Sequence, residues 1–278
     1  MPNLGRVSPR PRSIHSTNIT LLNAIHTSYL HSKPYQLDAR TSVVANAWHT
    51  SSQATPIVDT VLGEKVWEHA RRRLENNCVL LQSLHPSTPS LFIPFLDTLP
   101  FVVPSSILTS LRALQPFLHC VTPHNPSTSR YAALALALDV SLEGRVSNAS
   151  LSMPADGIDI ASGLLGIAPE FGYRAFDVFY YLLTSISTQA EREFLSLKPA
   201  SEYSILAASG TYQPPSHLAA ADDGAAADDF RQAIRQIGIK GSTHRKLIAT
   251  LAGLLTLGNT LDLNAPDNYC LHRQPADD

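Results

Sequence analysis

Residues 131–151 read YAALALALDVSLEGRVSNASL, and this stretch sets the fold class. Leu134, Leu136, Leu138 and Val140 recur at every second position. Successive strand side chains point to opposite faces, so these four share one face of a strand. Glu143-Gly144-Arg145 supplies a hairpin turn, and residues 146–151 form the returning strand. Upstream, Cys78-Val79-Leu80-Leu81 reads as a buried parallel strand, and Ser42-Val43-Val44-Ala45 as a short β-branched one.

Helices flank these strands. Val58, Val61, Leu62, Val66, Ala70 and Leu74 recur at helical spacing and predict a helix over 57–77. Arg71, Arg72 and Arg73 sit at its end, where cations suit the helix dipole. Residues 18–30 predict a shorter helix stopped by Pro34, and residues 106–118 another. Phe179, Leu182, Leu183 and Ile186 form the stripe of a helix over 176–186. Phe230, Ala233, Ile234 and Ile237 mark the next. Leu247, Leu251, Leu254 and Leu255 mark the last, over 243–257, closed by Gly258-Asn259. Residues 84–105 are broken by prolines, and residues 213–227 read as an alanine- and aspartate-rich surface loop. Strands alternating with helices predict an α/β fold with a mixed central sheet flanked by helices.

The 278 residues suit one large domain or two small ones. Charged residues are 16%, below the usual value of about 25%, and apolar residues reach 44%, so a core is expected rather than disorder. A net charge of -2 argues against a nucleic-acid partner. Cys78, Cys120 and Cys270 are too scattered for a disulfide framework or a zinc site. No run approaches the roughly 20 apolar residues of a membrane span. Asn18-Ile-Thr20 and Asn148-Ala-Ser150 match the glycosylation pattern, with nothing else pointing to secretion. Residues 1–37 lack Asp and Glu and carry Arg6, Arg10 and Arg12. A mitochondrial transit peptide shares that composition, but Pro2, Pro9 and Pro11 spoil an amphipathic helix and favour a basic tail over 1–16.

Four landmarks then follow in order. Arg174-Ala175-Phe176-Asp177-Val178-Phe179-Tyr180-Tyr181-Leu182-Leu183 resembles the myosin motor's "R-N-F-H-I-F-Y-Q-L-L". Leu197-Lys198-Pro199, Tyr203 and Ala208-Ser209-Gly210-Thr211-Tyr212 resemble its "L-x-x-P…Y…S-G-C-Y". Ile237-Gly238-Ile239 is similar to "I-G-F", and residues 251–259, LAGLLTLGN, to "L-A-A-I-L-H-L-G-N". Upstream, residues 125–130, NPSTSR, resemble the switch I loop. With Lys33-Pro34-Tyr35 and Val43-Val44-Ala45-Asn46, this start most resembles the myosin motor-like domain of fungal chitin synthases. The resemblance covers residues 17–263 and leaves 264–278 as a polar tail.

The resemblance implies a partial motor head of the P-loop NTPase type. It implies Asn125, Ser129 and Arg130 as the switch I positions facing nucleotide, Mg²⁺ and the switch II glutamate. On the residues alone, Asn125-Pro126 starts a turn and Arg130 snorkels beside a strand equally well. The phosphate loop would follow the Cys78 strand. There stands QSLHPSTPS, residues 82–90, without glycine or lysine and with two prolines. Ser83, His85, Thr88 and Ser90 occupy this degenerate P-loop position. A phosphate cradle needs glycine backbone and a Lys charge, so neither ATP nor Mg²⁺ is expected as a cofactor, no catalytic residue is assigned, and no metal site is expected. Residues 160–162 stand where the family has "K-S-R", without either charge, and switch II is absent.

The expectation is therefore a degenerate, truncated motor-like domain of a chitin synthase. That parent class transfers N-acetylglucosamine from UDP-GlcNAc to chitin. A downstream transferase domain is implied, with cytoskeletal or vesicle-associated proteins as partners through the parent. The domain would lie on the cytoplasmic side, and the parent at the plasma membrane or on secretory vesicles. The alternatives are a stand-alone interaction domain and an ATP-binding motor fragment.

Overall fold

The computed structural model describes residues 14–30, 33–46, 58–82, 90–125, 127–129, 134–153, 170–218 and 222–260. The chain divides into two compact units: one takes residues 1–84 and 91–100, the other residues 85–90 and 101–278.

The first unit opens with α1 (Ile14–Leu30), then β1 (Tyr35–Gln36) and β2 (Thr41–Ala45). The Asp38 side chain accepts the Arg40 and Thr41 N–H groups at 2.7 and 2.8 Å, fixing the tight turn between these strands. α2 (Leu62–Arg73) crosses to β3 (Cys78–Gln82), which runs parallel to β2 with Val44 opposite Leu81. A parallel pair needs such a crossover. The sheet order is β1-β2-β3, so β2 is central and buries Ser42, Val43 and Val44. α3 (Phe92–Leu96) follows, and Val44, Val58, Leu62 and Leu91 form this unit's core.

Two expectations are corrected here. The helix stops at Arg73 because Leu74 turns left-handed at φ 56°, and Leu74 leaves the apolar stripe at 75% exposure. β3 is half-exposed rather than buried: among the described residues it is an edge strand, and only alternate residues face the core. The arginine triplet behaves as expected, with Arg71 and Arg72 also paired to Glu68 at 2.8 and 3.0 Å.

The second unit begins with α4 (Ser105–Leu118), which passes directly into β4 (His119–Cys120), paired antiparallel with β5 (Thr128–Ser129). β6 (Ala135–Val140) and β7 (Val146–Ser152) form the anticipated hairpin. The turn needs Gly144 at φ +77°, where its N–H donates to the Ser141 carbonyl. Asn148 of the second glycosylation match donates to Asp139 Oδ2 at 3.1 Å across this hairpin. The rest is helical: α5 (Asp177–Tyr181), a π turn (Leu182–Ile186), α6 (Gln189–Phe194), α7 (Ser204–Ala207), α8 (Asp223–Gln236) and α9 (Ser242–Gly258). Their core holds Val178, Phe179, Leu182, Ile186, Leu206, Phe230, Ile234, Ile248, Leu251 and Leu255.

The mixed α/β class holds, but the described strands form three separate sheets, of three, two and two strands, not one. The helix over 176–186 is α only to Tyr181, where the Thr184 hydroxyl bonds back to the Tyr180 carbonyl at 2.8 Å and the coil widens. Residues 223–227 belong to α8, not to a surface loop. Asp222 caps that helix by accepting the Gly224 N–H at 2.8 Å, and Asp223 and Ala227 are buried. α9 buries Leu251 and Leu255 as expected, with Ile248 and Ala252 beside them and Leu247 packed against that core; Leu254, also expected there, is 43% exposed.

Candidate functional site

The switch I-like segment lies between β4 and β5. Asn125 is buried, and its own turn occupies its side chain: Oδ1 accepts the Ser127 N–H at 2.9 Å and Nδ2 donates to the Ser127 carbonyl at 3.3 Å. The Asn125 N–H donates to Thr122 Oγ1 at 3.2 Å, and the Thr122 and Thr128 hydroxyls meet at 3.0 Å. This is a closed turn in which Asn mimics backbone. Gln115 donates to Ser127 Oγ at 2.7 Å, and the same hydroxyl lies 2.6 Å from His119 Nδ1. Burial pushes the His119 pKa down to about 4, so the ring is neutral. Ser129 is half-buried in β5 opposite His119. Arg130 lies outside the described residues, as do Ser83, His85, Thr88 and residues 160–162. Ser90 is half-buried. The structure therefore brings Asn125 and Ser129 together only as neighbours in one loop.

The strongest electrostatic feature is one the sequence reading did not single out. Arg174 is 1% exposed and grips Asp223 with two parallel bonds, Nη1–Oδ1 at 3.0 Å and Nη2–Oδ2 at 2.6 Å. Its Cζ also lies 3.7 Å from the Tyr180 ring centre, close enough for a cation–π contact. Burial works against the arginine charge, yet the Asp223 bonds outweigh it and the pKa rises. Asp177, the first residue of α5, is also buried, and its Oδ1 has no hydrogen-bond partner among the described residues. Burial drives its pKa well above the carboxylate range, against the pull of Arg174. Tyr180 and Tyr181 are likewise raised by burial. A usable signal was present: Asp222-Asp223-Gly224 immediately before an apolar periodic run is a helix start.

The segments that carried the resemblance are joints. The Ser209 hydroxyl donates to the Tyr173 carbonyl, and the Gly172 N–H donates to Thr211 Oγ1 at 2.7 Å, tying residues 208–212 to the chain before Arg174. Arg174 N–H donates to the Val121 carbonyl at 3.1 Å, and Cys120 bridges Phe176. An open cleft of about 660 Å³ is bordered by Tyr180 and Asp223 of the Arg174 centre and by Arg192, Glu193, Lys198 and Tyr212. Of the described candidates, Asn125, Ser129 and Ser90 do not line it. Among the described residues no group of His, Cys, Asp or Glu is placed to hold a metal ion, and no helix is long and apolar enough to cross a membrane.

This arrangement ties the fold together: Arg174 is buried against Asp223, which borders the cleft, and Asn125 bonds within its own turn. Ser127 and His119 form a close hydroxyl–imidazole pair, with Gln115 holding the hydroxyl. No protein-family model matches the chain. The chain is nonetheless homologous to a segment of fungal chitin synthases. It is 63% identical over 255 residues to Chitin synthase Vb of Fusarium oxysporum f. sp. lycopersici, covering 92% of this chain and 14% of that protein. It is 62% identical over 255 residues to Chitin synthase 7 of Gibberella zeae, with the same coverage. Against Chitin synthase A of Colletotrichum graminicola it is 57% identical over 269 residues, covering 95% of this chain and 15% of the relative. The chain thus spans about one-seventh of the length of these relatives.

Proposed function

We propose that the chain is a non-catalytic, degenerate myosin motor-like domain that forms the N-terminal part of a fungal chitin synthase. The carrying observation is an identity of 57–63% confined to 14–15% of proteins named chitin synthases. The parent would transfer N-acetylglucosamine from UDP-GlcNAc to chitin in a transferase domain elsewhere in the same polypeptide. The domain itself would work as a folded accessory on the cytoplasmic side, with the parent at the plasma membrane or on secretory vesicles. Cytoskeletal or vesicle-associated proteins would be its partners there.

Two further observations support an accessory role. The P-loop position carries no glycine or lysine between Gln82 and Ser90. Asn125 spends its side-chain amide on its own turn. Leaving phosphate charge without partners costs several kcal/mol, since each charge-assisted hydrogen bond contributes about 1.5–3 kcal/mol.

Deleting the matching segment from the Fusarium oxysporum relative tests the proposal. Membranes containing the shortened protein are expected to keep UDP-GlcNAc-dependent polymer synthesis, while the site of deposition in the hypha changes. Loss of synthesis at normal protein level would instead make the segment part of the catalytic machinery.

A further inference from the structure

The Arg174 centre holds more negative charge than it can pair. One guanidinium faces two buried carboxylates, and both of its Nη groups are spent on Asp223. Among the described residues, Asp177 Oδ1 and Arg174 Nε both lack a hydrogen-bond partner, so the guanidinium's bonds go to Asp223 and none reaches this second carboxylate oxygen. Removing a second anion from water with no cation of its own is strongly disfavoured, so the cluster must hold a proton.

Every described element packed on α5 agrees. From its own segment Asp177 meets Arg174, Tyr180 and Tyr181, and the rings are raised by burial and stay neutral. From α8 it feels Asp223, which repels a second charge; Asp222, Asp228, Asp229, Arg231 and Arg235 on that helix are exposed or half-buried. α4 brings only Arg112, which is exposed. The π turn carries no charge. From the β4 side, a backbone bond from Val121 favours the ion, and the nearby His119 is neutral.

We propose that Arg174, Asp177 and Asp223 form a one-proton switch: Asp177 carries the proton while α5 is docked on the Val121 segment and on α8, and losing it loosens that docking. Asp177 opens α5 immediately after the Cys120–Phe176 bridge and the Arg174–Val121 bond. Charge on Asp177 therefore acts where three strands of chain cross.

The sign follows from linkage. Asp177 binds its proton more tightly folded than unfolded, so its contribution is full below the unfolded value near 3.8 and is lost as pH rises toward its folded pKa. Urea unfolding of residues 1–278 between pH 4.5 and 8 is compared for wild type and Asp177→Asn, an uncharged isostere. The ratio of their folding constants is expected to rise in favour of Asp177→Asn, by up to about tenfold per pH unit, and then level off. Taking the ratio removes the opposite slope of His119. A ratio constant across this range, or an Asp177→Asn chain that fails to fold, overturns the switch. As a second readout, infrared spectra of the wild type at pH 7 are expected to show a protonated carboxyl band that disappears in Asp177→Asn; no such band also overturns it.

Discussion

Asn259 reaches back across 55 residues to Ser204: its Oδ1 accepts the Ser204 N–H at 2.7 Å, while its Nδ2 donates to the Glu202 carbonyl at 2.8 Å. The same turn presses Gly258 against the Ile205 side chain, so that a Cβ there would collide with it. The end of α9 and the start of α7 are thus one joint, made by Gly258 and Asn259.

Two helical glycines give opposite predictions. Gly258→Ala must displace buried Ile205, and overpacking of this kind costs about 1–3 kcal/mol. A Cβ at Gly253, exposed in the same helix, meets nothing. Gly253→Ala is expected to stabilise by about 0.5–1 kcal/mol. Urea midpoints of the two variants are expected to move in opposite directions from wild type.

Asp223→Ala leaves Arg174 charged and buried. Removing one partner of such a pair typically costs about 3–5 kcal/mol. Replacing both, as Arg174→Met with Asp223→Leu, is expected to recover much of that loss. A double-mutant cycle on the unfolding free energy checks this: strict additivity of the two single losses would mean that the pair is not coupled.

His119 predicts an acid limb. Its folded pKa of about 4 lies below the unfolded value of 6.5, so the stability it contributes is complete above pH 6.5 and drains away as pH falls through about 4. At about 1.4 kcal/mol per unit, the whole effect is about 3 kcal/mol. Nitrogen-resolved NMR at pH 5 is expected to show a neutral His119 ring; an imidazolium signal at that pH would contradict the lowering of its pKa by burial.

Mg-ATP is expected to bind no tighter than about 10 µM, roughly -7 kcal/mol. Calorimetry on residues 1–278 decides the point, and a tighter complex would favour the ATP-binding alternative.

Leu254 and Leu257, 43% and 55% exposed on α9, are expected to promote self-association of the isolated chain, because exposed apolar patches seek cover. Gln at both positions should shift light scattering toward monomer with little change in melting temperature. A wild-type chain that is already monomeric, with one sharp reversible transition, would instead favour the self-contained interaction domain.

How much of this was legible follows the physics of each signal. Alternation at Leu134, Leu136, Leu138 and Val140 located β6 because period two leaves no other reading. The 78–82 strand was found, but its burial was not, since burial depends on how many strands join the sheet and sequence carries no count. The α9 stripe was misjudged at Leu254 because a leucine-rich helix offers two overlapping faces, and packing against Ile205 and its neighbours selects one. Asp223 was lost in a polar run because its burial requires Arg174, 49 residues away. Of the switch I candidates, Asn125 fell within a well-defined loop, and local turn chemistry sufficed to explain it.

The π turn at Leu182–Ile186 has a consequence for insertions and deletions. It holds one more residue than an α-helix of the same rise, so it behaves as an absorbed insertion. Each α-helical residue turns the chain by about 100°, and the wide turn takes up that rotation for its extra residue. Deleting Thr184 would let the coil close into α-helix while Ile186 keeps its place in the core. The Thr188–Glu191 capping box would then start α6 in the same direction. A length change is absorbed here, whereas the same change inside α9 would turn every later side chain to another face.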